Sequence, residues 1–279
     1  MHGRKMDDLI DLGFRLERTH VVVTGGSGYI GSATVRAFLA AGAYVTVFDI
    51  NKPRHPVQHL HFKFHQVDIT SEEQLAHAFE AARRDFGIVQ CCVALASLDL
   101  SVLPHHASLM DMPADQWRQT HRVNVEGTML TAKWWMRQIK STSPDTSNVS
   151  LIIVGSESGH FGERMNPDYA SGKSAVQAGL LQSLKSDIPR VFPGGRVNAV
   201  APGPVDTEQF KFECQQNPNQ YWQDAQATTS LAQPVPPMAV ARSILFLASE
   251  AWSSHITGQV LNVDSGKQGK VLWPKEELS

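Results

Sequence analysis

Short apolar runs, many of them β-branched, alternate along this chain with longer amphipathic stretches. The first run, His20 to Thr24, places Val21, Val22 and Val23 in succession. A continuous run of that kind suits a parallel strand buried on both faces. Similar runs predict strands at Tyr44 to Phe48, Phe62 to Val67, Ile88 to Leu95, Val149 to Gly155, Arg196 to Val200 and Gln259 to Val263. The stretches between them predict helices over Tyr29 to Ala41, from Thr70 or Ser71 to Arg84, and over Ala114 to Lys140, Pro167 to Lys185 and Met238 to Ser249. Thr70 or Ser71 is placed as an N-cap, with Glu73 or Gln74 at capping-box distance. Strands and helices in this alternation predict a doubly wound α/β fold, with a parallel sheet between two helical layers. No linker or internal repeat divides the chain. A single domain is therefore expected over 19–279, behind an N-terminal extension, 1–18. The one long irregular region, 203–237, is Pro-rich. It is expected to be a mobile lid of about 204–237, since long loops in compact domains are usually functional.

Composition narrows the function classes. The chain has 279 residues, 42% of them hydrophobic, and a net charge of −2. That balance lacks the basic surplus that nucleic-acid binding needs. No run approaches the ~18 apolar residues of a membrane span, and the charged N-terminus has no apolar signal core. Cys91, Cys92 and Cys214 are an odd set without regular spacing, which argues against a disulfide framework and for a reducing compartment. A cytoplasmic protein with a small-molecule substrate is the expectation.

Glycines follow the first strand at once. Gly26-Ser27-Gly28-Tyr29-Ile30-Gly31 reads G-x-G-x-x-G between a strand and a helix. Such a turn lets the backbone approach a pyrophosphate at the helix N-terminus. Asp49 ends the second strand 18 residues after Gly31. A carboxylate there accepts from adenosine ribose hydroxyls and repels a 2′-phosphate, which favours NAD over NADP. Asp49 could instead be only a turn former, and Lys52 and Arg54 close behind could accommodate a phosphate.

Tyr169 and Lys173 lie four residues apart, one turn along a helix face. An adjacent ammonium lowers a tyrosine pKa and makes it a proton donor or acceptor for an alcohol or carbonyl. Tyr-x-x-x-Lys alone is a common surface pattern. Ser156, 13 residues earlier at the end of the fifth strand, adds a hydroxyl for the reacting oxygen.

With Thr24-Gly25 before the glycine turn, Asn124 in Val-Asn-Val-Glu-Gly, Pro202-Gly203-Pro204-Val205-Asp206-Thr207, Thr257-Gly258-Gln259 and Val263-Asp264-Ser265-Gly266, the chain resembles a short-chain dehydrogenase/reductase over roughly 19–266. The resemblance implies a seven-stranded Rossmann sheet and an NAD(P)-dependent oxidoreductase acting on a secondary alcohol or ketone. Asn124, Ser156, Tyr169 and Lys173 would be its catalytic set. Asn124 would hold a relay water, and Lys173 would bind the nicotinamide ribose. Gly25, Ser27, Gly28, Tyr29, Ile30, Gly31, Asp49 and Ala94 would contact the cofactor. Asp68 and Ile69 would meet adenine, and Pro202, Gly203, Val205 and Thr207 would line the nicotinamide side. The resemblance also implies a homodimer or homotetramer bundled through the 114–140 and 167–185 helices. An NAD preference leans the reaction toward alcohol oxidation.

Two features depart from the short branch of the family. Position 29 is Tyr rather than Gly, a spacing more like the epimerase branch. Val93-Ala94-Leu95-Ala96-Ser97 replaces the usual Asn-Asn-Ala-Gly. A catalytically silent dinucleotide-binding regulator, or an epimerase-like enzyme that retains NAD, is the alternative. The histidines lack zinc spacing, so no metal is expected. His160 follows Ser156 closely, and Glu157 beside it has no role in this pattern. Phe210, Phe212, Tyr221 and Trp222 either pack the lid on the domain or meet an apolar or ring-bearing substrate.

Overall fold

In the computed structural model, which describes residues 12–271, seven strands form one parallel sheet in the order β3-β2-β1-β4-β5-β6-β7. The strands are β1 His20–Thr24, β2 Tyr44–Asp49, β3 Phe62–Gln66, β4 Cys91–Ala94, β5 Ser150–Val154, β6 Arg196–Pro202 and β7 Val260–Val263. Strand order reverses between β1 and β4, so a crevice opens beyond their C-terminal ends. Every residue of β1, β4, β5 and β6 is buried, as their apolar runs require. Alternation along β1 sends Val22 into one core with Phe48, Leu151 and Trp135, and Val21 and Val23 into the other with Val45, Phe38 and Ile244.

The first helix, Tyr29–Ala40, packs beside Pro237–Ala248 on one face of the sheet. The second, Glu72–Phe86, lies on the other face. Ser71 caps it, its Oγ accepting from Gln74 N at 3.3 Å. The capping box is only half closed, because Gln74 Oε1 reaches back to Asp68 N at 2.9 Å. Leu16 is fully buried, so the core takes in residues ahead of position 19.

Four expectations change. The 114–140 helix forms as Ala114–His121, a π turn Arg122–Gly127, and Thr128–Ile139. The Tyr169 helix likewise contains a π turn, Ala175–Leu180, and runs on to Val191. The fourth strand stops at Ala94 because Thr24 Oγ1 takes the Leu95 and Ala96 amides, at 3.0 and 3.1 Å, off the ladder. The 203–237 segment is not an irregular loop. It holds the helix Glu208–Gln216, capped by Thr207 Oγ1 accepting from Phe210 N at 3.0 Å, and the π turn Tyr221–Gln226. A bridge between Val205 and Val235 draws its two ends together, and one between Thr229 and Lys267 joins it to the C-terminal part of the domain.

Candidate active site

A cavity of about 1600 Å³ fills the crevice and runs from the glycine turn to the lid. At one end, Gly25, Ser27, Gly28, Tyr29, Ile30 and Gly31 line it. Gly25 sits at φ +69°, and a side chain there would meet the Ala96 backbone at 2.7 Å. A side chain at Gly31 would meet Gly25 O at 2.1 Å. The turn can therefore close only on glycine. Gly28 begins the first helix with no side-chain cap, leaving its N-terminal amides for a ligand. This cradle fits a dinucleotide phosphate.

Asp49, at the end of β2, lines the cavity beside this turn. Its Oδ2 accepts from Ser27 N at 3.0 Å and its Oδ1 from Asn51 N at 2.9 Å. Arg54 donates to the Tyr29 hydroxyl at 2.6 Å, with its guanidinium carbon 4.1 Å from the ring centre. Tyr29, off-pattern in sequence, is thus the platform that holds Arg54 at the cavity rim. Asp68 and Ile69 also line the cavity, the Asp68 carboxylate accepting from both N and Oγ1 of Thr70. Pro202, Gly203, Val205 and Thr207 line the opposite wall. Ala94 does not reach the cavity. It lies in the β-ladder opposite Thr24 and Ile153, and Leu95 and Ala96 take its place at the wall.

Toward the lid, Ser156, Tyr169 and Lys173 come together, all buried. Ser156 N donates to Gln177 Oε1 at 2.8 Å, which fixes the residue just beyond β5. Gly155 makes room for that amide, because a Cβ there would lie 2.1 Å from the same oxygen. Lys173 Nζ donates to Val154 O at 2.9 Å and stands 5.6 Å from the Tyr169 ring centre. Burial lowers the Lys173 pKa to about 8, with Asp99 opposing. Burial raises that of Tyr169, and the Ser156 hydrogen bond opposes this. Before Tyr169, Asp168 accepts from Thr120 Oγ1 at 2.7 Å and ties the two long helices together. Asn124 lies in the first π turn, behind the cavity wall. Its side chain is engaged with the Leu98 backbone, accepting at 2.8 Å and donating at 2.9 Å. Its main-chain carbonyl accepts from Thr128 Oγ1 at 2.8 Å.

An ionic group beside this set had no counterpart in the sequence reading. Lys270 Nζ lies 3.0 Å from Glu157 Oε1 and 3.1 Å from Glu163 Oε2. Burial would lower the Lys270 pKa, yet Glu157, Glu163 and Asp224 raise it above the ordinary lysine value. Glu157 and Lys270 both act electrostatically on Tyr169. The only sequence signal was Glu157 itself, a carboxylate directly after Ser156. Of the lid aromatics, Phe210 alone lines the cavity. Phe212 and Trp222 are 56% and 44% exposed, so of the two alternatives for these rings, contact with a substrate is left open to Phe210 alone.

Comparison with known proteins decides the family. A family model described as enoyl-(acyl carrier protein) reductase matches residues 26–268. This chain belongs to the short-chain dehydrogenase/reductase family. Within that family it is 30% identical to the cis-4-hydroxycyclohexanecarboxylate dehydrogenase of Sinomonas cyclohexanicum, over 88% of this chain and 94% of the relative. It is 31% identical to the L-fucose dehydrogenase of Mus musculus, over 89% and 88%. A short-chain dehydrogenase from Leptospira borgpetersenii with bound NAD+ superimposes with a TM-score of 0.79 over 95% of this chain and 98% of that one; at 23% identity it shares the fold. The short-chain dehydrogenase/reductase family uses NAD(P), and the chain is an oxidoreductase of that family.

Proposed function

We propose that this chain is an NAD-dependent dehydrogenase that interconverts a secondary alcohol and a ketone, with Tyr169 as general acid/base. One observation carries the reading: a single cavity joins the glycine cradle to the buried cluster of Ser156, Tyr169 and Lys173. A bound dinucleotide supplies the nicotinamide that accepts or gives the hydride. Ser156 orients the substrate oxygen through its hydroxyl. In oxidation Tyr169 takes the alcohol O–H proton while the carbinol carbon loses its hydride, leaving C=O. Reduction runs the same transfers backward. A buried tyrosine is a poor base, and the ammonium of Lys173, one turn on, favours its ionised form. With its pKa near 8, Lys173 also exchanges protons close to neutral pH. Net oxidation releases one proton to solvent.

Asp49 supports NAD, because a 2′-phosphate would meet its carboxylate. The relatives named for a hydroxylated ring acid and for L-fucose are consistent with alcohol chemistry. The direction favoured with NAD is oxidation, in a cytoplasmic setting. Pairing into a homodimer or homotetramer is part of this reading. Met129, Met136, Leu180, Leu184 and Val191 line a shallow groove of about 370 Å³ on the two long helices, and light scattering of the purified chain tests it.

Tyr169→Phe is the test of the chemistry. Activity across a panel of secondary alcohols should fall about 10³-fold, the scale of lost general acid/base catalysis. The dissociation constant for NAD+, followed by fluorescence titration, should stay within about twofold. An active Tyr169→Phe enzyme would refute the assignment.

A further inference from the structure

The cavity lining mixes apolar side chains, Phe161, Met165 and Phe210 among them, with a group of carboxylates that begins next to Ser156. Glu157, next in the chain to Ser156, has its side chain only 5% exposed. One of its oxygens pairs with Lys270, and the other is buried with no hydrogen-bond partner among the described residues. An ionised carboxylate oxygen left this way is a costly acceptor that a donor would relieve. The lid adds a further carboxylate to the same cavity. Gln209 Nε2 and Gln220 Nε2 donate to the two oxygens of Glu213, at 2.9 and 3.3 Å, and all three residues line the cavity. Asp224, also at the wall, couples electrostatically to Lys270 and Glu163. The lid turns Phe212 and Trp222 outward, so its aromatic surface is largely withheld from the cavity.

We propose, building on the dehydrogenase reading above, that the substrate is a neutral cyclic polyol, and that Glu157, Lys270 and Glu163 determine this specificity. Three features of the wall select that class. Adjacent hydroxyls both donate and accept, so one ring satisfies carboxylate oxygens, amides and an ammonium together. An apolar ring alcohol leaves the same groups desolvated and unpaired. A ring carboxylate meets Glu157, Glu163, Glu213 and Asp224 at close quarters, where like charges repel. Lys270 is already shared between two of those carboxylates and offers little net positive charge to an anion. In the reaction the hydroxyl-bearing ring carbon loses hydride to oxidised cofactor and its O–H proton to Tyr169. The neighbouring hydroxyls are the handles held by the wall.

The experiment is steady-state oxidation at saturating NAD+ with four kinds of six-membered ring alcohol. These are neutral polyols (inositols and aldopyranoses), cyclohexanol, 4-hydroxycyclohexanecarboxylate and 4-aminocyclohexanol. At least one polyol should exceed cyclohexanol and 4-hydroxycyclohexanecarboxylate in kcat/KM by about 100-fold, within the discrimination available when buried polar groups are left unpaired. Lys270→Met and Glu163→Gln should raise the polyol KM about 10-fold more than the cyclohexanol KM. Their NAD+ dissociation constants should match that of the parent. Lys270→Arg should restore part of the loss. Preference for cyclohexanol, the acid or the amine overturns the substrate class and leaves the dehydrogenase reading standing. A KM that rises equally for every alcohol assigns Lys270 a purely structural role and also overturns the proposal. Failure of every alcohol in a protein that still binds NAD+ overturns the dehydrogenase reading as well.

Discussion

At the glycine-turn end of the cavity the ligand-facing groups are largely main-chain amides, and the decisive residues are decisive for lacking a side chain. At the Tyr169 end they are side chains, placed by specific polar contacts: the Ser156 main-chain N–H on Gln177 Oε1, Lys173 Nζ on Val154 O, and Glu157 on Lys270. The first construction depends on backbone path alone and suits a ligand shared across a family. The second depends on which charges meet, so it can change from relative to relative without disturbing the sheet. The two ends should respond differently to substitution.

The glycine turn should show the largest effect. Gly31→Ala puts a methyl group 2.1 Å from a backbone oxygen that cannot move without opening the turn, whereas at Gly28 the same methyl group meets Gly25 O at 3.4 Å. Gly31→Ala should lose NAD+ affinity by more than about 100-fold and lower the melting temperature, since strained backbone at such a site costs about 1–3 kcal/mol or more. Gly28→Ala should melt like the parent. Calorimetry with and without NAD+ reads both quantities, and equal melting of the two variants would contradict the turn geometry.

Lys173 lies where the two constructions meet. Its folded pKa is about 8, against 10.5 for the free side chain. Between those values the unfolded chain binds more protons than the native one, so this group makes stability rise with pH across that window. Relative to Lys173→Met, the parent should gain about 2 kcal/mol from pH 7.5 to pH 10. Denaturant unfolding of both proteins without cofactor measures this, and parallel pH dependence would show that Lys173 is not held in a depressed state.

The same contrast explains what could be read from sequence. Val21-Val22-Val23 announces a doubly buried strand because burial on both faces permits little else, and Gly25 and Gly31 announce the turn because no other residue fits it. The strand order follows from rules of chain connection. The π turns were not legible, because their register is set by packing. At Gly127, for instance, a Cβ would lie 2.6 Å from Ile69 Cδ1, a neighbour distant in the chain. The lid helix left one local mark, the Thr207-Glu208 start, which the surrounding prolines obscured. Lys270 left none. Its meaning comes from Glu157 and Glu163, which only the fold brings to it.

Asp49 tests the one part of the cofactor end that does depend on side-chain charge. Asp49→Asn keeps the acceptors for Ser27 N and Asn51 N and removes the charge. The ratio of kcat/KM for NAD+ over NADP+ should fall about tenfold, equivalent to about 1.4 kcal/mol. Lys52 and Arg54 would then face a 2′-phosphate without opposition. An unchanged ratio would mean that specificity resides in the Arg54–Tyr29 pair rather than in the carboxylate.

His20, at the opposite end of β1 from the glycine turn, carries the smallest effect. It is 1% exposed, with Nδ1 2.9 Å from Gly87 O and Nε2 2.9 Å from Thr46 Oγ1. Gly87 O can only accept, so Nδ1 carries the proton and Nε2 accepts from the threonine hydroxyl. Burial lowers its pKa to about 4 from 6.5, with the Gly87 carbonyl opposing. The unfolded chain therefore takes up a proton before the native one does. Stability from this residue is present above pH 6.5 and is lost as pH falls from 6.5 toward 4. At pH 5.5 the loss is about 1 kcal/mol. His20→Gln should remove that part of the acid sensitivity and leave NAD+ affinity at neutral pH unchanged, because His20 lies outside the cavity. Unfolding curves at pH 7.5 and 5.5 decide it. If the variant lost as much stability as the parent, the acid response would belong to other groups, and β1 would be anchored at this end by packing alone.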